Sequence, residues 1–580
     1  MLDLAREHVR LQRSQLVSNA RDDERLHPLE DEAELLVRMA MERHRRTGLE
    51  ADQVQHRPLA EQRLSRYACG ELECTQRVEA NELRLHALDY RCLVTVVELP
   101  LLRRQAYLNG RWADSDSGQT FPVTNPATGE VIADVPRLGA AETRRAIAAA
   151  ERAYPAWRSR TAKSRAGVLR RLADLMLDHE EDLARLLVTE QGKPLVEARA
   201  EIAYAASFYE WFGEEAKRAY GDTIPSPSAD RRILVLKQPV GVTAGITPWN
   251  FPAAMPTRKT APALAAGCTM VLKPAEQTPL SALAIAGLAE EAGLPAGVLS
   301  VVTGAADDAP AIGAEMTSNP LVRKLGFTGS TEVGKLLMQQ CSAQLKQVSL
   351  ELGGNAPFIV FDDADLEAAV AGAMLCKFRN SGQTCITANR FLVQDAVHDE
   401  FVERFTSAAA GLTVADGFTR GVDVGPLIDE PAVAKVERHV NDAVERGAEL
   451  VLGGNRLEGQ FFQPSVLAGV SANAAMSCEE TFGPVAGIAR FADEDEAVRA
   501  ANRTPYGLAA YFYSQSNART WRVSEALEYG IVGINTGFVS TEVAPFGGMK
   551  ESGIGREGSK YGLDEWLELK YVAVGGVDAQ

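Results

Sequence analysis

Short apolar segments alternate with helical segments through the middle of the chain, and this alternation constrains the fold more than any other feature. The strand-like segments TMVLKP, VLSVVTG, KLGFTGS and VSLELGG lie between residues 269 and 354, and helical segments such as SALAIAGLAEEAGL separate them. Parallel strands need a long crossover between neighbours, usually a helix. Long amphipathic helices are also predicted over residues 140–219. We therefore predict an α/β fold with parallel sheets covered by helices.

The composition limits the classes of function. A chain of 580 residues with 46% hydrophobic and 24% charged residues is typical of a globular protein with two or three domains. Its formal net charge of −17 argues against binding to nucleic acid or to an anionic membrane. No run of about 18 apolar residues and no signal-peptide core is visible, which favours a cytoplasmic protein. The eight cysteines show no disulfide or metal-ligand spacing beyond the weak Cys69/Cys74 pair.

The first 97 residues differ in composition from the rest of the chain. They contain 15 Arg and no Lys, and the first Lys of the chain is Lys163. Only a partial apolar stripe is visible there, over residues 29–46, which is a weak indication of a helix. We expect a loosely structured extension, or upstream sequence translated from a misassigned start. A regulatory or partner-binding arm is the alternative.

Cys385 is the first candidate catalytic residue, because it lies in a polar loop of small residues. The loop reads NSGQTC and precedes the strand-like segment RFLV. Structural cysteines are usually surrounded by apolar residues, whereas a reactive cysteine needs access and neighbouring groups that favour the thiolate. Taken alone, the pattern leaves a nucleophile and a structural thiol equally open.

Two further residues have side chains that could assist a cysteine nucleophile. Glu351 ends an apolar strand shortly before two glycines, which is a good position for a general base, although a strand-end residue facing solvent fits equally well. Asn250 lies in the segment PWNFP, where two prolines bracket a turn. A side-chain amide held in such a turn can donate a hydrogen bond to a developing oxyanion.

A nucleotide site is indicated at the ends of two other strands. Lys273 ends the strand TMVLK and Glu276 follows three residues later, where the ribose hydroxyls of a dinucleotide would lie in a doubly wound sheet. The segment KLGFTGSTEVGK is a glycine-spaced strand-to-helix turn whose N–H groups suit a pyrophosphate. It is not the GxGxxG fingerprint, so by itself it is weak evidence.

Seven motifs in order resemble those of the aldehyde dehydrogenase superfamily: WNFP, LKPAE, FTGS, ELGG, GQTC, EETFGP and PFGGMKESGIGREG. The resemblance extends from about residue 104 to about residue 572. Within the superfamily, segments such as EIAYAASFYEWFGEEAKRAYGDTIPSP, KFRNSGQTC and REGSKYG are most similar to the succinate-semialdehyde dehydrogenases. The resemblance implies the aldehyde dehydrogenase fold, in which parallel-sheet cofactor and catalytic domains are joined by a small β oligomerisation arm.

The resemblance also implies a catalytic mechanism for this chain. Cys385 would attack the aldehyde to give a thiohemiacetal and then a thioester, while the Asn250 amide and the Cys385 N–H hold the oxyanion. Glu351 would activate the water that releases the acid. No metal is implied. The residues implied to contact the cofactor are Trp249, Lys273, Glu276, Gly329, Ser330, Leu352, Glu480 and Phe482.

Glu276 determines the expected cofactor preference. Its carboxylate would accept hydrogen bonds from the adenosine ribose and repel the 2′-phosphate of NADP. Many bacterial relatives carry Ser at this position and favour NADP, so this chain departs from them. Two negative groups ~4 Å apart repel by about 1–4 kcal/mol near a protein surface. We expect NAD as the cofactor, with NADP possible and weaker because the side chain can swing away.

Arg258, Arg379 and Ser540 determine the expected substrate. They match positions that bind the distal carboxylate in the succinate-semialdehyde enzymes, and a guanidinium suits a carboxylate bidentately. The expected reaction is the oxidation of succinate semialdehyde to succinate. Glutarate semialdehyde or a general aldehyde is the alternative, because one methylene is worth only about 1–3 kcal/mol in a pocket. A catalytically silent relative that acts as a binding protein is the alternative of another class.

The resemblance implies three structural parts beyond the extension. We expect a cofactor domain over residues 104–219 and 241–351, and a catalytic domain over residues 352–535. An oligomerisation element would combine residues 220–240 and 545–575. Such an arm buries little apolar surface by itself, so we expect a homo-oligomer, either a tetramer or a dimer.

Overall fold

The computed structural model describes residues 99–577. The extension predicted at residues 1–97 lies outside them. The helices are α1 (Ala140–Arg158), α2 (Ala162–Asp178), α3 (Glu180–Gln191), α4 (Leu195–Glu215), α5 (Ala254–Ala266), α6 (Leu280–Glu291), α7 (Ala309–Ser318), α8 (Thr331–Ser342), α9 (Leu366–Phe378), α10 (His398–Ala410), α11 (Glu430–Glu445), α12 (Ala475–Cys478), α13 (Glu494–Asn502), α14 (Asn517–Ala526) and α15 (Ser559–Asp564).

The strands form four sheets within this part of the chain. In chain order they are β1 (Ala106–Leu108), β2 (Arg111–Ala113), β3 (Thr120–Thr124), β4 (Val131–Pro136), β5 (Asp222–Ile224), β6 (Arg232–Pro239), β7 (Val242–Ile246), β8 (Thr269–Lys273), β9 (Leu299–Val301), β10 (Val322–Thr328), β11 (Gln347–Glu351), β12 (Ala356–Val360), β13 (Ala388–Gln394), β14 (Glu449–Leu452), β15 (Ser465–Ala468), β16 (Val485–Phe491), β17 (Ala509–Tyr513), β18 (Ile531–Ile534), β19 (Gly553–Ile554) and β20 (Leu567–Val574).

The largest sheet has eight strands in the order β19-β11-β10-β7-β8-β9-β1-β2. Its central strands β11, β10, β7, β8 and β9 run parallel, with helices in the crossovers, as the alternation of strands and helices predicted. The chain passes from β7 outward to β8 and β9, then returns to lay β10 on the other side of β7. This reversal opens a crevice at the carboxyl ends of β7 and β10, where ligands of doubly wound sheets bind.

A second sheet of seven strands has the order β14-β15-β16-β13-β12-β17-β18. It is parallel apart from the antiparallel pair of β14 and β15. Its central strands are buried on both faces, and the aromatic rings of Phe358, Phe391 and Tyr511 pack together beneath them. These two sheets confirm the predicted α/β fold. The domain limits given above stay a prediction.

Strands β5, β6 and β20 form a separate antiparallel sheet. Val574 pairs with Arg232 and Leu567 with Pro239, so the C-terminal strand pairs along the whole of β6. Several apolar side chains of this sheet are exposed, including Leu569 at 69% and Tyr571 at 65%. The sheet therefore presents apolar surface outside the two main cores.

Candidate active site

A cavity of about 810 Å³ collects most of the predicted site residues. It lies where the carboxyl ends of β7, β10 and β11 meet the loop before β13 and the loop before β16. Two predicted residues, Lys273 and Glu276, lie outside its lining. The predicted residues that line it are Trp249, Asn250, Arg258, Gly329, Ser330, Glu351, Leu352, Arg379, Cys385, Glu480, Phe482 and Ser540.

The loop that carries Cys385 is held in an unusual backbone conformation. Asn380, Ser381 and Gly382 all have positive φ angles, of 51°, 58° and 75°. A Cβ at Gly382 would lie 2.2 Å from the Gly483 carbonyl oxygen, so only glycine fits there. Left-handed residues other than glycine are costly and persist where surrounding contacts hold them, often at functional sites. The loop is therefore built to present Cys385 in one position.

The thiol of Cys385 is in its neutral form in this environment. Burial raises its pKa to about 12, the carboxylates of Glu480 and Glu351 act in the same direction, and Arg258 opposes them. The polar sequence of the loop suggested donors that favour the thiolate, but its polar side chains bond to other groups, such as Ser381 Oγ to the Gly425 carbonyl oxygen and Thr384 Oγ1 to Thr387 Oγ1. A proton acceptor must therefore take the thiol proton before or during attack.

Asn250 is fixed against the Cys385 loop by buried hydrogen bonds. The Asn250 side-chain Nδ2 donates to the Gln383 carbonyl oxygen at 3.0 Å. The Asn250 backbone carbonyl oxygen accepts from Asn380 Nδ2 and from Lys193 Nζ, both at 2.9 Å. One N–H of the amide is used in this way, which leaves the second N–H as a donor. The amide and the thiol loop are thus one rigid unit, as an oxyanion-binding group requires.

Lys193 in turn is held by Glu201. Its Nζ lies 2.5 Å from Glu201 Oε2, and both side chains are almost completely buried. The other oxygen of Glu201 accepts from the N–H groups of Ala253 and Ala254, at the start of α5. This buried pair connects α4 to the turn that carries Asn250. Neither residue is predicted from the sequence, since nothing in the EQGKP segment shows that its lysine reaches residue 250.

Glu351 ends β11 and points into the cavity with a raised pKa. The carboxylate is buried, and neither oxygen has a hydrogen-bond partner among residues 99–577. Burial raises its pKa well above the ordinary range, the neighbouring Glu557 raises it further, and Arg258 opposes the shift. A carboxylate in such a setting is a stronger base than one in water, which suits proton abstraction.

Arg258 lies on α5 and forms an ion pair with Glu557. The distance from Arg258 Nε to Glu557 Oε2 is 2.7 Å, and the guanidinium lies 3.9 Å from the centre of the Phe546 ring. Lys259 Nζ contacts the other oxygen of Glu557 at 2.6 Å. The charge of Arg258 is therefore compensated within the protein, although neither its Nε nor its Nη2 has a hydrogen-bond partner among the described residues.

Arg379 has a different environment on the same cavity. Its guanidinium lies 5.0 Å from the Phe538 ring centre and 5.6 Å from that of Phe251, and its Nη2 donates to Ser540 Oγ at 3.4 Å. It forms no ion pair with any carboxylate of residues 99–577. An arginine between two aromatic faces keeps its donors available for an anion.

The carboxyl ends of the parallel strands fit a dinucleotide. Register pairs Ile246 with Lys273, and Thr328 with Glu351, so these strand ends lie along one edge of the sheet. Lys273 Nζ contacts Pro274 O at 3.2 Å and Glu276 at 3.4 Å, which leaves donor capacity for a ribose. Ser330 caps the N-terminus of α8, next to Gly329, and helix N-termini of this kind bind pyrophosphate.

The loop before β16 closes the opposite side of the cavity. Phe482 has a positive φ of 58° and packs edge-to-face on Trp249, with ring centres 5.5 Å apart. Glu480 Oε1 accepts from the Gly354 N–H at 3.3 Å, and burial raises the pKa of this carboxyl to about 7. Both side chains border the same space as Cys385 and Glu351, where the nicotinamide end of a dinucleotide would lie.

Metal sites and membrane spans are two further features to consider in residues 99–577. No group of three or more His, Cys, Asp or Glu side chains is arranged to hold a metal ion in this range. None of the helices described is long and apolar enough to span a membrane.

Comparison with known proteins places this site in context. Residues 112–572 match the aldehyde dehydrogenase family. A glutarate-semialdehyde dehydrogenase of Pseudomonas aeruginosa is 63% identical over 479 residues, which cover 82% of this chain and 99% of that protein. A succinate-semialdehyde dehydrogenase [NADP(+)] of Escherichia coli is 63% identical over 477 residues, covering 82% and 98%. The crystal structure of an E. coli NADP-dependent enzyme superposes with a TM-score of 0.81 at 63% identity, again covering 82% and 98%.

Proposed function

Because the chain belongs to the aldehyde dehydrogenase family, we propose that it oxidises succinate semialdehyde to succinate with a nicotinamide dinucleotide. The observation that carries the choice of substrate is Arg379, an arginine with no carboxylate partner among residues 99–577, beside Ser540 in the cavity that holds Cys385. A substrate carboxylate would supply the missing anion. Arg258 plays a smaller part than the sequence suggested, because Glu557 already compensates its charge.

The described residues support each step of the proposed reaction. The Cys385 thiol gives its proton to solvent water as Sγ attacks the aldehyde carbon, and the developing oxyanion accepts hydrogen bonds from the free N–H of Asn250 and from the Cys385 backbone N–H. A bound nicotinamide would accept the hydride and leave a thioester on Cys385. Glu351 then takes a proton from water, which attacks the thioester and releases the carboxylic acid. The thiol returns to its neutral form as the proton is given back.

The number of methylene groups in the substrate distinguishes two candidate semialdehydes. One relative at 63% identity is named for glutarate semialdehyde and another for succinate semialdehyde. The two substrates differ by one methylene, which a pocket of about 810 Å³ lined by flexible side chains such as Met255 and Met374 can accommodate. Glutarate semialdehyde is therefore the second candidate substrate.

Initial rates with three aldehydes test the proposed function. Succinate semialdehyde, glutarate semialdehyde and butanal are compared at saturating cofactor by the absorbance of the reduced nicotinamide. We expect kcat/KM for succinate semialdehyde to exceed that for butanal by about 10²-fold or more, since a charge-assisted hydrogen bond is worth about 1.5–3 kcal/mol and the cavity supplies at least two. Equal values for succinate semialdehyde and butanal would refute a distal-carboxylate site.

We propose further that NAD is the preferred cofactor. Glu276 supports this preference, because its carboxylate lies 3.4 Å from Lys273 and is 29% exposed at the edge where the adenosine ribose would bind. The 2′-phosphate of NADP would bring a second negative charge to this edge. The similarity to an NADP-dependent E. coli enzyme makes the preference a clear point of difference between two chains that are 63% identical.

Substituting Glu276→Ser should shift the preference towards NADP. We expect kcat/KM for NADP to rise about ten- to a thousandfold as the repulsion of about 1–4 kcal/mol is removed. The value for NAD should fall a few-fold at most, because one acceptor for the ribose is lost. Glu291→Ser, on the exposed end of α6, is the control and should change neither value. A wild-type protein that already uses NADP as well as NAD would overturn the preference.

We also propose that the protein is a homo-oligomer that uses the β5-β6-β20 sheet. The exposed Leu569 and Tyr571 of β20 support this proposal, since apolar side chains of an edge strand are often covered by a second copy. Light scattering with sedimentation gives the number of subunits. A monomer at micromolar concentration would contradict the proposal.

A further inference from the structure

The hydroxyl of Tyr204 is a buried polar group on the wall of the central cavity. Tyr204 lies on α4, and its ring packs edge-to-face on Phe208, one turn later, with ring centres 5.0 Å apart and an interplanar angle of 72°. The hydroxyl oxygen is inaccessible to solvent and has no hydrogen-bond partner among residues 99–577. Buried hydroxyls almost always have a partner, so this one requires an explanation.

Two other buried tyrosine hydroxyls among residues 99–577 have hydrogen-bond partners. Tyr209, five residues further along α4, bonds to Thr260 at 2.7 Å, and Tyr511 donates to the Ile386 carbonyl oxygen at 2.9 Å. Tyr204 differs from both because it lines the cavity, whereas Tyr209 and Tyr511 do not. The missing partner is therefore expected on the cavity side, from a molecule that binds there.

The groups around Tyr204 indicate the charge of that molecule. The guanidinium of Arg258 lies 5.9 Å from the ring centre of Phe208, on which Tyr204 packs, and Arg379 and Ser540 line the same cavity. Burial raises the pKa of the Tyr204 phenol, and the two arginines oppose that shift. The phenol is thus neutral near pH 7 and has a proton to donate, and the neighbouring Arg379, which has no carboxylate partner among residues 99–577, attracts an anion.

We propose that Tyr204 is a specificity-determining residue whose hydroxyl donates a hydrogen bond to the distal anionic group of the substrate, alongside Arg379 and Ser540. The inference rests on the proposed function. Arg379 supplies the uncompensated charge, and Tyr204 adds a directed donor without adding charge. A neutral aldehyde of the same length leaves the hydroxyl unpaired, so the residue discriminates against such aldehydes as well as favouring anionic ones.

Replacement of the hydroxyl tests the proposal in the full-length enzyme. Tyr204→Phe keeps the ring and its packing on Phe208, so the variant should fold as the wild type does. With succinate semialdehyde and saturating cofactor, we expect kcat/KM to fall about ten- to a hundredfold, the usual effect of losing a hydrogen bond to a charged group. The loss should appear mainly in KM, because the group binds the substrate far from the reacting carbon. With butanal, kcat/KM should change by less than about threefold.

Tyr209→Phe is the matched control, because it removes a buried hydroxyl from the same helix outside the cavity. It should lower thermal stability and leave the ratio of kcat/KM for succinate semialdehyde to that for butanal unchanged. Equal losses for both substrates in Tyr204→Phe, or no loss for either, would overturn the role of Tyr204. Failure of the proposed function is a separate result: the wild type itself would then show no preference for succinate semialdehyde over butanal.

Discussion

Replacing Cys385 with alanine should abolish aldehyde oxidation while leaving the fold intact. Cys385 is the thiol that lines the cavity, and without it no thiohemiacetal and no thioester can form. We expect kcat to fall by about 10⁴-fold or more, the scale seen when a nucleophile is removed from an enzyme. The measurement is formation of reduced cofactor with succinate semialdehyde, with the circular dichroism spectrum as a check on folding.

Two further variants make this experiment decisive. Cys478→Ala removes an exposed thiol near the loop that carries Glu480, and it should retain full activity. Glu351→Gln keeps the nucleophile but lacks the base for hydrolysis, so it should form about one equivalent of reduced cofactor per subunit in a burst and then turn over only slowly. Substantial turnover by Cys385→Ala would refute the mechanism, and absence of the burst in Glu351→Gln would refute the role given to that carboxylate.

The raised pKa of Glu351 also predicts the direction of the pH dependence. The carboxylate acts as a base only when it is ionised, and burial raises its pKa well above the ordinary glutamate range. The rate of thioester hydrolysis should therefore increase as pH rises through that raised pKa and be lost below it. In Glu351→Gln the slow residual turnover should lose this acidic limb.

Replacing Lys193 with methionine should cause the largest loss of stability of any single change at the site. Lys193 and Glu201 are an almost completely buried ion pair at 2.5 Å, and the substitution leaves the Glu201 charge buried without its cation. Breaking a buried pair on one side costs about 3–5 kcal/mol. We expect a marked fall in melting temperature at a fixed scan rate. Because Lys193 also donates to the Asn250 carbonyl oxygen, folded protein should show a lower kcat.

Lys237→Met is the matched control for this prediction. Lys237 lies 2.5 Å from Asp564, the same distance, but the Asp564 side chain is 51% exposed. An exposed pair contributes about 0–1 kcal/mol, so the control should melt almost as the wild type does. Adding Glu201→Gln to Lys193→Met removes the unpaired charge and should recover part of the lost stability. Similar melting temperatures for Lys193→Met and Lys237→Met would contradict the proposed importance of the buried pair.

Most of the local structure could be predicted from the chain itself. The hairpin at Asn109-Gly110 forms as its two-residue turn predicts, with φ angles of 51° and 73° that these residue types tolerate. The strand that ends at Glu351 and the loop that carries Cys385 are where the apolar and polar runs put them. Periodicity and turn residues act over a few residues, and sequence reasoning reads such interactions well.

The sequence by itself determined the fold class, the alternation of strands and helices along the chain, and the chemistry available at Cys385, Glu351 and Asn250. Only the tertiary structure decided how those groups are charged and paired. Glu557 lies about 300 positions from Arg258, yet it compensates that arginine, whereas Arg379 forms no ion pair with a carboxylate of residues 99–577. Likewise, only the folded structure places Tyr204 on the wall of the cavity, with a hydroxyl that has no hydrogen-bond partner among residues 99–577. Pairing and desolvation depend on three-dimensional distance and burial, which no local pattern encodes.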